Sequence, residues 1–218
     1  MLQNPYKTAE TILFASSKPR GKLKSVDLYG PSVKEKNEGS LCSTFHLENE
    51  SGTGDIAAYS VFPGMELVYN DMHMKYCNKT QNPRTNFLEI NYCREGRSEC
   101  IFGEYSYCYM TAGDLSICSL QGKSHTSSFP TSHYHGITVT IDFAEITEEM
   151  KQILSLLSID INRIFEFSEK QDFYMVRANE TIQHICSELY TVQDHLKPSY
   201  IKTVSYTHLR AHETRGNL

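Results

Sequence analysis

Tryptophan does not occur in the chain. Because the indole is a favoured surface for stacking sugars, its absence weighs against a stand-alone carbohydrate-binding module. Long apolar runs are missing too: none approaches the roughly 18 residues of a membrane-spanning helix, so no membrane partner is expected. There is no basic stripe. The net charge is −5, and the densest cationic stretch, Lys18 to Lys24, is followed closely by Asp27, Glu35 and Glu38. A DNA-binding surface needs positive charge to neutralise phosphates; the Lys18–Lys24 cluster reads instead as a solvated loop. The seven cysteines form no CxxC pair, which excludes a zinc ribbon and a thioredoxin-like motif by spacing. Several of them lie in apolar strand patterns, where a free thiol behaves as a small hydrophobe. With no cationic-then-apolar leader at Met1, the chain reads as a reduced cytoplasmic protein. Neither GxSxG, a nucleotide-binding glycine loop nor HExxH is found. Cys77 stands four residues from His73 with no third group to orient the pair, which argues against a catalytic dyad. No catalytic residue and no cofactor are assigned.

What is present is a long β region. From Leu41 to Phe143 short segments of alternating apolar and polar residues recur: 41–47, 55–61, 65–70, 86–93, 97–102, 105–110, 114–120, 124–129 and 134–143. The last is the clearest, with Ile137, Val139, Ile141 and Phe143 alternating with Thr138, Thr140 and Asp142, a period of two in β-branched residues. Turn residues punctuate the region at Phe62-Pro63-Gly64, Arg94-Glu95-Gly96, Phe102-Gly103 and Ala112-Gly113-Asp114. Eight or nine strands at this spacing, with no helical pattern between them, predict a barrel or sandwich rather than a βαβ fold. Ahead of it, residues 1–40 read as an extension, with a short helix over Thr8 to Ser17 and a polar loop from Lys34 to Ser40.

After Phe143 the period changes. Ile146, Met150, Ile153 and Leu157 follow 4-3-4 spacing, with Glu145, Glu148 and Glu149 near the start, where the helix dipole favours anions. Phe173 to Val176 reads as a brief extended piece. A further helix opens at Asn179, a good N-cap, and its apolar positions Ile182, Ile185, Leu189, Val192 and Leu196 repeat as 3-4-3-4. That spacing has the form of a coiled-coil dimer seam, but it covers only about two heptads; an amphipathic helix packed on its own barrel satisfies it as well. The segment 144–203 is thus a helical dimerisation or linker element.

Two residue types carry candidate chemistry. His133 and His135 stand two apart in a strand, so their side chains leave one face and can chelate a metal; His73 and His125 are the residues that barrel closure brings near them. The competing reading leaves these histidines at a turn beside Pro130-Thr131-Ser132, simply meeting water. Tyrosines are the second type. A tyrosine-lined cavity stacks on and hydrogen-bonds a small polar ligand, although tyrosine also suits any half-buried strand. The candidate ligand pocket comprises Tyr69, His73, Glu89, Tyr92, Tyr107, His125 and His135.

Three stretches carry a family resemblance: Phe87-Leu-Glu-Ile-Asn-Tyr-Cys-Arg-Glu-Gly-Arg97, Tyr109-Met-Thr-Ala-Gly-Asp-Leu-Ser116 and Ser132-His-Tyr-His-Gly-Ile-Thr-Val-Thr-Ile-Asp-Phe143, followed by the helix Ala178 to Tyr190. In this order, over about residues 41–203, they resemble the N-terminal sensor domain of AraC-type transcription regulators. The resemblance implies a mainly β fold, a cupin-like jelly-roll barrel over 41–143 followed by two or three α-helices. It also implies an unknown small-molecule effector, a homodimer, and DNA contact only through a C-terminal helix-turn-helix domain. The metal-binding cupins are matched less well. Their first motif has HxH and a Glu, where this chain has Asp71-Met-His-Met-Lys-Tyr-Cys77 with one histidine; the stretch Gly113 to His125 imitates their second with Gly122 but no proline. A metal-dependent cupin enzyme, an isomerase or dioxygenase using His73, His125 and His133 or His135, is therefore the alternative to a non-enzymatic sensor. Finally, Val204 to Thr214 reads back into DNA as one frame of a transposon-end sequencing adapter. Residues 204–218 are accordingly expected to be foreign to the protein, which leaves the natural part nearer −6 and places the DNA-binding domain beyond codon 203.

Overall fold

The computed structural model describes residues 32–39, 42–79, 87–102, 106–119, 125–156, 158–170 and 173–192. The expected helix over 8–17, Leu196 of the seam and the adapter-like stretch 204–218 lie outside them.

The fold is mainly β. Among the described residues eleven strands run β1 (Val33–Glu38), β2 (Cys42–Asn49), β3 (Gly52–Phe62), β4 (Met65–His73), β5 (Tyr76–Lys79), β6 (Phe87–Phe102), β7 (Ser106–Thr111), β8 (Asp114–Ser119), β9 (His125–Ser128), β10 (Tyr134–Asp142) and β11 (Phe173–Arg177). Three helices follow or interrupt them: α1 (Glu148–Leu156), α2 (Ile161–Lys170) and α3 (Glu180–Thr191). The pairings nest as they do in a jelly roll. β4 pairs with β10 and β5 with β9, while the first half of β6 lies between β10 and β8 and its second half between β9 and β7. Two layers result, joined through β6. β3, β2 and β1 extend the first layer beyond β4, and β11 extends it beyond β8. All pairs are antiparallel; of the barrel or sandwich that the strand spacing predicts, the chain forms the barrel, in the cupin-like form that the resemblance implies.

β6 departs from the sequence expectation in an instructive way. Arg94-Glu95-Gly96 reads as a turn between two strands, yet one strand of 16 residues passes through it. Cys93 lies opposite Gly136 but Glu95 opposite His135, so Arg94 is an extra residue, a β-bulge. Gly96 has φ +83, and a Cβ there would collide with the His133 carbonyl. The bulge bends the strand out of one layer and into the other, so the glycine marks a bend rather than an end. The polar run Lys34 to Ser40, read as a loop, contributes β1 instead. β1 is an outer edge strand paired only with β2 and almost wholly exposed; charged side chains on such an edge discourage further pairing.

The two faces of the first layer are used unexpectedly. On β10 the apolar side (Ile137, Val139, Ile141) faces away from the barrel interior, under the helices. Leu88 and Ile141 pack with Met150, Ile153 and Leu154 of α1 and Ile161 of α2. Tyr59, Leu67, Tyr69 and Ile137 pack with Cys186, Leu189 and Tyr190 of α3. Each fully buried Ile, Leu or Met contributes about 1.5–3 kcal/mol, enough to hold short helices on the sheet. Local signals set where these helices start. The Thr147 hydroxyl accepts from the Met150 amide at 3.2 Å, and the Asp160 carboxylate accepts from the Asn162 and Arg163 amides at 3.1 Å. The Asn179 side chain accepts from the Ile182 amide at 2.9 Å. No helix among the described residues is long and apolar enough to cross a membrane.

Candidate functional site

Between the two layers lies a cavity of about 60 Å3, bounded by Asn70 and Met72 of β4, Glu89, Asn91, Ser98 and Cys100 of β6, Cys108 and Met110 of β7, Ser116 and Cys118 of β8, Ser127 of β9, Tyr134 and Thr138 of β10, and Phe173 of β11. Its wall from the first layer is polar. Asn70 donates from Nδ2 to Thr138 Oγ1 at 3.0 Å, and the Thr138 hydroxyl donates to Asn91 Oδ1 at 2.8 Å. Asn91 Nδ2 lies 3.4 Å from both Ser116 Oγ and Cys118 Sγ, and the Cys118 thiol points to Glu89 Oε2 at 3.9 Å. Period-two alternation puts all six on one face, and register aligns them across four neighbouring strands. Buried polar groups of this kind persist because they satisfy one another. Glu89 is 4% exposed, so its carboxylate belongs to the interior. The volume accommodates a few waters or a very small molecule, since about 10–15 Å3 of such space holds one water and drug-sized ligands take pockets of roughly 300 Å3 or more.

Of the pocket residues expected from the sequence, Glu89 lines this cavity. Tyr69 and Tyr92 leave the same strands on the opposite face, beneath α3. Tyr69 meets Tyr59 and Tyr190 edge-on and its hydroxyl donates to the Leu189 carbonyl at 3.0 Å. Burial pushes the Tyr92 phenol above its ordinary range. Tyr107 stands on the outer surface of the second layer, 56% exposed. His73 and His135 are also on the outer face. There they meet His133, with ring centroids 5.3 Å (His73–His133), 5.6 Å (His73–His135) and 4.4 Å (His133–His135) apart. His125 opens β9, and its side chain lies outside the described ones. Among the described side chains no histidine faces the barrel interior.

No protein-family model matches the chain, and no curated protein does. Similar solved structures include the AraC-like transcriptional activator CuxR, 9% identical, covering 79% of this chain and 62% of its own, TM-score 0.41. Another is ToxT K231A from Vibrio cholerae, 11% identical, covering 66% and 53%, TM-score 0.42. A third is a Cupin 2 conserved barrel protein from Salinispora arenicola, 17% identical, covering 45% and 81%, TM-score 0.34. The chain spans about half to three fifths of the length of the two AraC-like proteins.

The residues of the proposed seam divide. Leu189 packs on the chain's own barrel with Cys186 and Tyr190, Ile182 and Val192 are half-buried, and Ile185 is exposed. All seven cysteines are free. Burial raises the Cys93 and Cys108 thiols to about 12 and Cys186 to about 11, which keeps them protonated and unreactive.

Sequence reasoning missed Asn70, Asn91, Ser116, Cys118, Thr138 and Phe173. The first five had a signal: polar residues at every second place on strands whose other face is strongly apolar. Phe173 had none, because it enters the cavity wall from a strand 54 residues beyond Ser119.

The turn that the sequence marks as Ala112-Gly113-Asp114 ties this cavity to the helices. Gly113 has φ +89 and donates to the Cys93 carbonyl at 2.7 Å. Asp114 accepts from the Thr111 amide at 2.8 Å and pairs with Arg177 at 3.1 Å. Arg177 also donates to the Ala112 carbonyl at 2.5 Å, and the Ala178 amide donates to Gly113. Arg177 ends β11 and Asn179 starts α3, so the last cavity-lining strand runs straight into the last helix.

Proposed function

We propose that the chain is the effector-sensing portion of an AraC-type transcription regulator, with a barrel (41–143) that holds a small polar molecule and a helical segment (144–203) that relays its presence. One observation carries this reading: the wall of the polar cavity includes Phe173, and Phe173 is borne by the strand that leads, through the Arg177 clamp, into α3. A ligand that fits only when Phe173 shifts biases the position of β11 and hence of α3, which is how a binding site acquires a differential affinity for two states. The wall chemistry defines the ligand class. A buried carboxylate (Glu89) beside amides and hydroxyls selects a compact molecule rich in hydrogen-bond donors, such as a small amine, amino acid or polyol. The motif resemblance supports the regulator class. Dimerisation belongs to the whole regulator, with Ile185 as the seam position left free on α3.

The experiment is a thermal-denaturation screen of such compounds against the protein and its Glu89→Gln and Asn91→Leu variants. A true ligand raises the midpoint of the wild type in proportion to the logarithm of its concentration, and each variant abolishes that rise. A ligand whose effect survives both substitutions overturns the interior site.

A further inference from the structure

We propose that His73, His133 and His135 form a site for a divalent metal ion of the zinc type on the outer face of the first layer, with Asp71 as fourth ligand. This site is distinct from the interior cavity and does not depend on the sensor reading. It is built by register. His135 of β10 lies directly opposite Asp71 of β4 on one side and Glu95 of β6 on the other. His73 follows Asp71 by two residues and His133 precedes His135 by two, so all leave the same face. One nitrogen from each of the three imidazoles falls within 4.8 Å of the others. Ligand nitrogens on a tetrahedral zinc stand about 3.3 Å apart at the usual bond length, so closure asks for movements of about 1.5 Å, within the reach of side-chain rotation. The side chains of His73 and His133 are 55% and 36% exposed, which leaves an entry path.

Asp71 supplies an independent pointer. Its Oδ1 stands 2.9 Å from His73 Nε2 and 2.5 Å from His135 Nε2. Yet Asp71 Oδ1 and His135 Nε2 are both shut off from solvent and neither makes a hydrogen bond of acceptable geometry. Acceptor atoms gathered closely without a hydrogen bond between them suit a shared cation. On the other side of the ring, Glu95 Oε2 lies 3.9 Å from His135 Nδ1 and 3.6 Å from His133 Nε2. That is where an outer carboxylate orients a metal-bound imidazole. Asp55 lies opposite Asp71 on β3 and adds negative charge, whereas the nearby Arg94 is drawn to Glu95 and over the Tyr190 ring. Three imidazoles and a carboxylate, with no thiolate, are a nitrogen–oxygen donor set suited to zinc. An ion there would cross-link the end of β4 to the start of β10.

The test uses the full chain without an affinity tag, stripped with chelator and titrated with Zn2+ against a chromophoric competitor. One zinc per chain is expected, with four-coordinate absorption bands when Co2+ replaces it. His73→Ala and His135→Ala should each weaken binding at least tenfold. His46→Gln and the paired tail variant His208→Gln/His212→Gln should leave it unchanged. His73 is exposed, so H73A remains informative if H135A fails to fold. The proposal is overturned by binding below stoichiometry, or by stoichiometric binding that survives H73A or disappears with the tail variant.

Discussion

Thr138 joins both halves of the interior chain, accepting from Asn70 and donating to Asn91. Valine has nearly its shape but no hydroxyl. Thr138→Val therefore strands an amide donor and an amide acceptor in the interior, and unsatisfied buried groups cost about 1–3 kcal/mol. Urea unfolding of T138V should show a loss of this size with an unchanged m-value; a neutral result would mean that the chain of polar contacts contributes nothing. At this scale the sequence showed which residues alternate, but not which set faces inward. Ile137, Val139 and Ile141 look like a core face; Ile137 and Ile141 are buried and Val139 half-buried, but under helices. Tyr69 and Tyr92 follow the same parity outward, whereas Glu89 follows the opposite one into the cavity. The choice of face is made by what covers the sheet, and that information lies some tens of residues downstream.

Elements were legible where local chemistry decides them. The segments in the β region anticipate strands, and Asn179 starts α3 as its capping chemistry requires. Replacing Asn179 by Ala should cost about 1 kcal/mol, seen as faster amide hydrogen exchange across 180–191 with the barrel strands unaffected. Uniform acceleration of all strands would contradict that local role. Long-range geometry decides what was not legible. β5 is four residues long and exists because β9 pairs with it. β1 is polar and exists because β2 offers an edge. The bulge at Arg94 turns an apparent hairpin into one bent strand. His73, His133 and His135 are spread over 63 residues, and only the β4–β10 register gathers them; the pair two apart was visible, its outward direction was not.

For the whole molecule, the jelly-roll order of pairing encloses a polar cavity, and a short path leads from Phe173 through Arg177 to α3; under the proposed reading a small ligand acts on the helix along that path. The claim that this is the sensing part of an AraC-type regulator is tested most directly by reading the gene from genomic DNA across codon 203 without fragment adapters. Under the proposed reading the genomic frame continues past codon 203 for roughly 100 residues with two helix-turn-helix units. A genomic frame that retains residues 204–218 and stops, or one that continues without a helix-turn-helix pair, would contradict it.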